Sequence, residues 1–264
     1  MTQPMTKRQA VARAALAGCA VAAAAAAASR RAPVLGLVVA SAGALAARAA
    51  FSPTARPFGQ VVRQGPDDRP RASLTFDDGP GPSTAAVLDA LAIAGARSTF
   101  FVLGRQADRH PDLVRRLAEE GHEVASHGYD HGILVWRGIR HVDDQLVRTE
   151  EAVRRAGVAM SPLFRAPHGF RGPATAFAAE RRGYRMAAWT AGVFDSSLPG
   201  AQVIADRAAS ALTPGAVILL HDADGWDPAA GRQQTAEAIP AIARAARERG
   251  IDLVPLGELL DDRS

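Results

Sequence analysis

Residues 74–80 read Leu74-Thr75-Phe76-Asp77-Asp78-Gly79-Pro80. The apolar, β-branched and aromatic run over 72–76 predicts a short buried strand. It ends in two adjacent carboxylates and a Gly-Pro turn. An Asp-Gly pair alone is an ordinary turn signal. Two carboxylates side by side at a strand end are unusual for a purely structural turn.

Outward from this strand, short apolar runs alternate with helical patterns. Further strands are predicted at 98–103, 123–126, 163–166, 185–190, 216–220 and 252–255. Ser83 is placed as the cap of a helix that ends near Gly95. Helices over 111–120, 142–156, 173–182, 202–212 and 233–249 complete the set, several of them stopping at a glycine. Alternation of this kind implies a parallel sheet with helices packed outside it. About seven β/α units in some 190 residues suit a small barrel, closed or nearly so, whose chemistry sits at the C-terminal strand ends.

The reactive residues do fall at strand ends. The strand at 123–126 runs into Ser126-His127-Gly128-Tyr129-Asp130-His131. Two histidines and one carboxylate make a first shell for Zn²⁺ or a similar ion, with positions left open for water and substrate. The next strands lead into Phe164-Arg165-Ala166-Pro167-His168-Gly169, into Trp189 to Asp195, and into Ile218-Leu219-Leu220-His221-Asp222.

These motifs resemble the polysaccharide deacetylase family, the NodB-homology domain of carbohydrate esterase family 4. TFDDGP, HxxxH, RxPxG and the terminal LLH stand in the family's order over roughly residues 71–258. The resemblance implies a distorted (β/α)7 barrel of the NodB-homology type. It implies that Asp77 is the general base, that Asp78, His127 and His131 bind one divalent ion, and that His221 is the general acid. The ion would be Zn²⁺, or Co²⁺ or another divalent ion in its place. Arg165 would orient the base and Asp195 would tune the charge network. Leu219 would line the acetyl pocket, with Pro167 and His168 beside the substrate. Trp226, in the polar loop after His221, is a candidate for stacking on a sugar ring, and Asp222, Asp224 and Asp227 for shaping the groove.

The implied activity is a metal-dependent hydrolase that removes N-acetyl groups from an amino-sugar polymer or oligosaccharide, peptidoglycan or chitin-like. Amide hydrolysis requires an activated water, a stabilised oxyanion and a protonated leaving nitrogen, and this residue set offers all three. Deacylation of a lipid-linked sugar or a small amide is the alternative within enzymes. A retired sugar-binding protein is the alternative outside them, and it would not need both Asp77 and His221. Four positions depart from the family pattern: Gly128 for Ser or Thr, His168 for Tyr, and Gly192 with Ser196 for Asp and Trp. Trp136 and Arg137, after the histidine pair, are candidates for a sugar contact.

The chain has 264 residues, 48% hydrophobic and 22% charged. That excludes a disordered chain and a mini-protein that depends on cross-links. One cysteine, Cys19, excludes an intramolecular disulfide and a cysteine-cluster metal site. Residues 1–70 hold 9 Lys/Arg against 2 Asp/Glu, a net +7, out of +4 for the whole chain. The remainder is therefore mildly acidic, which argues against nucleic-acid binding. Residues 1–50 carry two apolar blocks of about 15 residues, one nearly pure alanine, parted by Ser29-Arg30-Arg31. They predict a signal sequence, an uncleaved anchor or a membrane hairpin, with a soluble alanine-rich helix as the bland alternative. A polymer substrate favours a catalytic domain outside the cytoplasm, membrane-anchored or secreted. Residues 51–70 read as a linker and 71–260 as the catalytic domain.

Overall fold

A computed structural model describes residues 41, 43, 44 and 60–261. The anchor or signal segment assigned to residues 1–50, Cys19 included, lies almost wholly outside them. Among the described residues no helix is long and apolar enough to cross a membrane.

The elements alternate as strand and helix. In chain order they are β1 (Val61–Val62), β2 (Arg71–Asp77), α1 (Thr84–Ala94), β3 (Thr99–Val102), α2 (Gly104–Arg109), α3 (Pro111–Glu119) and β4 (Glu123–Ser126). Then come α4 (Ile139–Arg155), β5 (Leu163–Phe164), α5 (Pro173–Arg181), β6 (Arg185–Ala187), β7 (Ala191–Gly192) and α6 (Ala201–Ala211). The chain closes with β8 (Val217–His221), α7 (Gln233–Glu248), β9 (Asp252–Leu253) and α8 (Leu256–Leu260). All strand pairings are parallel. The order across the sheet is β1-β6-β5-β4-β3-β2-β8-β7, with β9 against the start of β2. The sheet curls into a half-barrel. Its edges do not pair as strands. Thr190 bridges them, its hydroxyl donating to Arg63 O at 2.9 Å and accepting from Val217 N at 3.1 Å. This is the parallel architecture that the alternating pattern predicts, in the incompletely closed form of the barrel.

Period-2 alternation along the strands sorts the core into two sides. Leu74, Phe76, Phe100, Ile218 and Leu220 face outward and pack with Val87, Leu88 and Leu91 of α1 and Ile239 and Ile242 of α7. Phe101, Ala125, Leu163, Ala187 and Val217 face inward, and Leu256 and Leu259 of α8 join them. Thr75 and Asp77, alternating with Leu74 and Phe76, share the inner face. The inward positions of β2 thus rise in steps toward its C-terminal end, where Asp77 ends the strand.

Four features differ from the sequence reading. Val61 and Val62, placed in the linker, form β1 and pair with Met186 and Ala187. Two residues are too few for a periodicity signal. The strand predicted at 185–190 ends at Ala187 as β6; β7 lies beyond that run, at Ala191–Gly192, and pairs with β8 rather than with β6. Helices α2 and α8 escape notice because each is under two turns long. Ser83 holds the cap position of α1 but makes no capping bond. Its Oγ instead accepts from Arg232 N at 2.7 Å, tying the turn after Asp78 to the start of α7.

Candidate active site

A cavity of about 640 Å³ opens at the C-terminal strand ends. Asp77, Asp78, His127, His131, His168, Leu219, His221 and Trp226 all line it. Residues from four separate sequence motifs therefore meet in one place. Arg165 and Asp195 stand behind this surface, both fully buried. Pro167 does not reach the cavity. It is buried against the loop of His127 and His131, within van der Waals reach of a Cβ built at Gly128.

Asp77 and His221 are direct partners across the β2–β8 ladder. Each has a buried group of opposite charge beneath it. Arg165 donates from Nη1 to Asp77 Oδ1 at 2.7 Å and to Thr75 Oγ1 at 2.8 Å, and from Nη2 to Ala188 O at 2.8 Å. Its guanidinium lies on the Phe101 ring, 4.0 Å from the centroid. One carboxylate oxygen of Asp77 is thus fixed, and the side chain's direction with it.

On the other strand, His221 Nδ1–H meets Asp195 Oδ1 at 2.8 Å. Asp195 Oδ2 accepts from His221 N at 2.8 Å and from Thr235 Oγ1 at 2.9 Å. Burial works against the imidazolium, but Asp195, with Asp78 and Asp77 further off, outweighs it and pushes the His221 pKa up to about 9. Burial likewise opposes ionisation of Asp195, and the His221 charge and these hydrogen bonds pull its carboxyl below the usual range. At neutral pH the pair is an imidazolium resting on a carboxylate.

Asp78, His127 and His131 are buried, and one ligand atom from each lies within 4.8 Å of the others. His127 Nδ1 meets the Arg165 carbonyl at 2.8 Å, which fixes Nδ1–H as the donor and leaves the Nε2 lone pair pointing at the site. That Nε2 is 3.4 Å from Asp78 Oδ1, and His131 Nε2 is 3.0 Å from the same oxygen. The other oxygen, Asp78 Oδ2, accepts from Gly225 N at 3.0 Å. Burial resists charge on Asp78, yet the two histidines hold its carboxyl well below the usual range. Two imidazole nitrogens and a carboxylate oxygen converging in a buried pocket fit a divalent cation of the Zn²⁺ type.

Gly128 lies in the loop between the two histidines. Its φ of +79° is left-handed, where glycine is unstrained. Gln145 of α4 holds the loop. Its Oε1 accepts from Tyr129 N at 2.9 Å and Asp130 N at 3.1 Å, and its Nε2 donates to Asp130 Oδ2 at 3.1 Å. The loop after β8 closes the other side. A Cβ at Gly225 would sit 2.2 Å from His131 Nδ1, so only glycine lets this backbone approach the ring. Asp224 fixes that loop through Trp226 N at 2.7 Å and Asp227 N at 3.0 Å, and pairs with Arg232.

Five non-glycine residues among those described have positive φ: Asp78, His131, His168, Phe194 and Leu198. The first four line the cavity. Strain held at one site by surrounding contacts is common where function fixes geometry. The His168 ring lies over Trp226, centroids 5.3 Å apart and 21° between planes, and 4.3 Å from the His131 ring. Trp226 therefore backs His131 as well as lining the cavity.

Asp224 and Asp227 also line the cavity, but Asp222 does not. Asp222 is buried beneath the turn that follows Asp78. Its Oδ2 accepts from Thr84 Oγ1 at 2.5 Å, and Thr84 Oγ1 accepts from Gly81 N at 2.8 Å. Burial pushes its carboxyl up to about 7. Trp136, 65% exposed, and Arg137 lie outside the cavity lining. The sequence reading missed Thr75, Gln145, Thr235, Ile133, Phe170 and Phe194. All are ordinary core, helix or loop residues by type, and only proximity gives them a role.

The family model for polysaccharide deacetylase matches residues 64–187. A chitooligosaccharide deacetylase of Sinorhizobium fredii is 37% identical over 188 residues, covering 69% of this chain and 87% of that protein. The chain belongs to the polysaccharide deacetylase family. A peptidoglycan-N-acetylglucosamine deacetylase of Listeria monocytogenes is 31% identical over 73% of this chain and 39% of its own longer length. Among solved structures, a family 4 carbohydrate esterase from Streptomyces lividans, in complex with acetate, superposes with a TM-score of 0.64. It is 32% identical and is matched over 92% of its length and 70% of this chain. This polysaccharide deacetylase is a hydrolase of carbon–nitrogen bonds other than peptide bonds.

Proposed function

We propose that the protein removes N-acetyl groups from an acetylated amino-sugar polymer or oligosaccharide, peptidoglycan or chitin-like. The observation that carries this reading is the pairing of Asp77 with His221 across β2 and β8, each set by a buried counter-charge, beside the Asp78–His127–His131 cluster. The relatives named for chitooligosaccharide and peptidoglycan deacetylation support the substrate class.

Asp78, His127 and His131 would hold one divalent ion, Zn²⁺ by donor type. When bound, that ion polarises the amide carbonyl and acidifies a water. Asp77, aimed by Arg165, takes a proton from the attacking water through Oδ2, the oxygen that Arg165 leaves unengaged. His221, held cationic by Asp195, gives its proton to the amide nitrogen as the carbon–nitrogen bond breaks, so acetate and a free amine leave. Asp195 beneath His221 keeps the acid protonated, and Arg165 beneath Asp77 aims the base. Leu219 lines the acyl side, His168 and Trp226 the sugar side. The N-terminal apolar blocks support a catalytic domain outside the cytoplasm, anchored or secreted.

The test is acetate release from N-acetylglucosamine oligomers and peptidoglycan by the full-length chain supplied with Zn²⁺. Asp77→Asn should lower kcat by about 10²–10⁴-fold, the usual worth of a general base, while zinc still binds. Equal acetate release by wild type and Asp77→Asn would remove Asp77 from the chemistry. No release from either substrate by zinc-loaded wild type would overturn the substrate class.

A further inference from the structure

The wall of the cavity on the acyl side continues beyond Leu219 into residues that have no part in the steps above. His221 and Leu219 are two residues apart on β8, project to the same side, and both line the cavity. Leu219 pairs in register with Gly192 of β7, and Gly192 lines the cavity as well. Trp189 and Ser196 complete this wall.

The planar carbonyl carbon of an amide carries three groups about 120° apart: oxygen, nitrogen and the acyl chain. A pose with the oxygen toward the Asp78–His127–His131 cluster and the nitrogen toward His221 leaves the third direction for the chain, and Leu219, Gly192, Trp189 and Ser196 line the cavity there. What stands at 192 therefore sets how long that chain can be.

Nothing in the fold requires glycine there. Gly192 is not among the residues with positive φ. A Cβ would meet Trp189 Nε1 at 3.5 Å and Leu219 Cδ2 at 3.9 Å, which is ordinary contact. A side chain would fit, and its absence leaves room between Trp189 and Leu219. Ser196, on a short turn after β7, adds only a hydroxymethyl group.

We propose that the wall formed by Gly192, Ser196, Leu219 and Trp189 admits N-acyl groups longer than acetyl, and that Gly192 determines this specificity. The substrate class is then N-acylated amino sugars with short linear acyl chains, propionyl and butyryl included. The balance is unchanged by chain length: water adds to the acyl carbon, the carbon–nitrogen bond breaks, and the carboxylic acid and the amine leave. This rests on the amide-hydrolase reading above.

The experiment offers the zinc-supplied full-length chain glucosamine oligomers that are uniformly N-acetylated, N-propionylated or N-butyrylated, and quantifies each acid released. Butyryl kcat/KM should lie within about thirtyfold of acetyl, well inside what two misfit methylenes would lose at about 10–200-fold each. Gly192→Val should lower the butyryl-to-acetyl ratio by about tenfold or more. Ser196→Leu should move the ratio the same way, and carries the test if Gly192→Val fails to fold by its thermal melt. A wild-type butyryl value below that range overturns the proposal, with acetate release leaving the deacetylase reading intact. Variants that leave the ratio unchanged also overturn it. Release of no acid from any oligomer fails the amide-hydrolase reading itself, and this proposal with it.

Discussion

Two histidines at opposite ends of the barrel differ in charge: buried His122 is neutral and partly buried His221 is cationic. His122 precedes β4 at the N-terminal end, packed edge-on against Phe100 at 5.3 Å, with its Nδ1 accepting from Ser98 N at 3.2 Å. Burial pushes its pKa down to about 4. Glu120 raises it only in part, and Arg97 and Arg116 lower it further. His221 ends β8 at the C-terminal end and is pushed up to about 9. The nearest carboxylate oxygen to His122 is Glu120 Oε2 at 3.8 Å from Nε2, whereas Asp195 meets His221 at 2.8 Å with good geometry. Burial alone makes a histidine neutral. A buried, hydrogen-bonded carboxylate reverses that. One end of the barrel is thus built for stability and the other to hold charge.

The largest break in this contrast comes from Arg165. Replacing it with Met leaves Asp77 buried without its counter-charge, and breaking a buried pair in this way costs about 3–5 kcal/mol. Urea unfolding should show that loss, together with loss of acetate release. An unchanged midpoint would mean that water reaches Asp77 and relieves it.

The next effect lies in stability against pH. In metal-free protein, His122 and His221 should act in opposite directions. The His122 pKa falls from about 6.5 unfolded to about 4 folded, so the unfolded state binds more protons between those values. Stability should drop by about 3 kcal/mol as pH falls through that window. His122→Phe should flatten this acid limb. The His221 pKa rises on folding, so its contribution is complete below about 6.5 and is lost as pH rises through about 9. Asp195→Asn should remove that alkaline loss. It should also move the alkaline limb of kcat/KM to lower pH, because the acid then gives up its proton earlier. A limb that stays in place would assign it to another group.

The smallest effect sharpens the contrast by its absence. Trp136 is exposed and lies outside the cavity, so Trp136→Ala should change stability by no more than about 0.5 kcal/mol and leave KM for oligosaccharides in place. A rise in KM would extend the substrate groove beyond the cavity described here.

Much of the site was legible because its chemistry needs particular residue types at strand ends. Asp77, Asp78, His127, His131 and His221 stand out in the sequence as charged or ligating groups closing apolar runs. Pro167 was legible only as part of a motif, and the fold places it behind the loop. Asp222 reads as one more acid in a polar loop, whereas it is buried under the turn and hydrogen-bonded to Thr84. Gln145 and Thr235 carry no signal, because a glutamine or threonine on a helix reads the same whether it faces water or a catalytic loop. β1 stayed hidden because two residues carry no period, and β7 because it continues an apolar run.

The sequence by itself determined the parallel α/β order, the family, and the residues that meet at the strand ends. Each depends on local periodicity or on residue types at fixed spacing, which survive without coordinates. Only the tertiary structure decided which strand β7 joins, the contacts by which Asp195 meets His221 and Arg165 meets Asp77, and that Gly192 leaves open space beside Leu219. Those are relations between residues 26 to 88 positions apart in the chain. Charge state and pocket depth depend on such distances and on burial, and neither is a property of any one stretch of sequence.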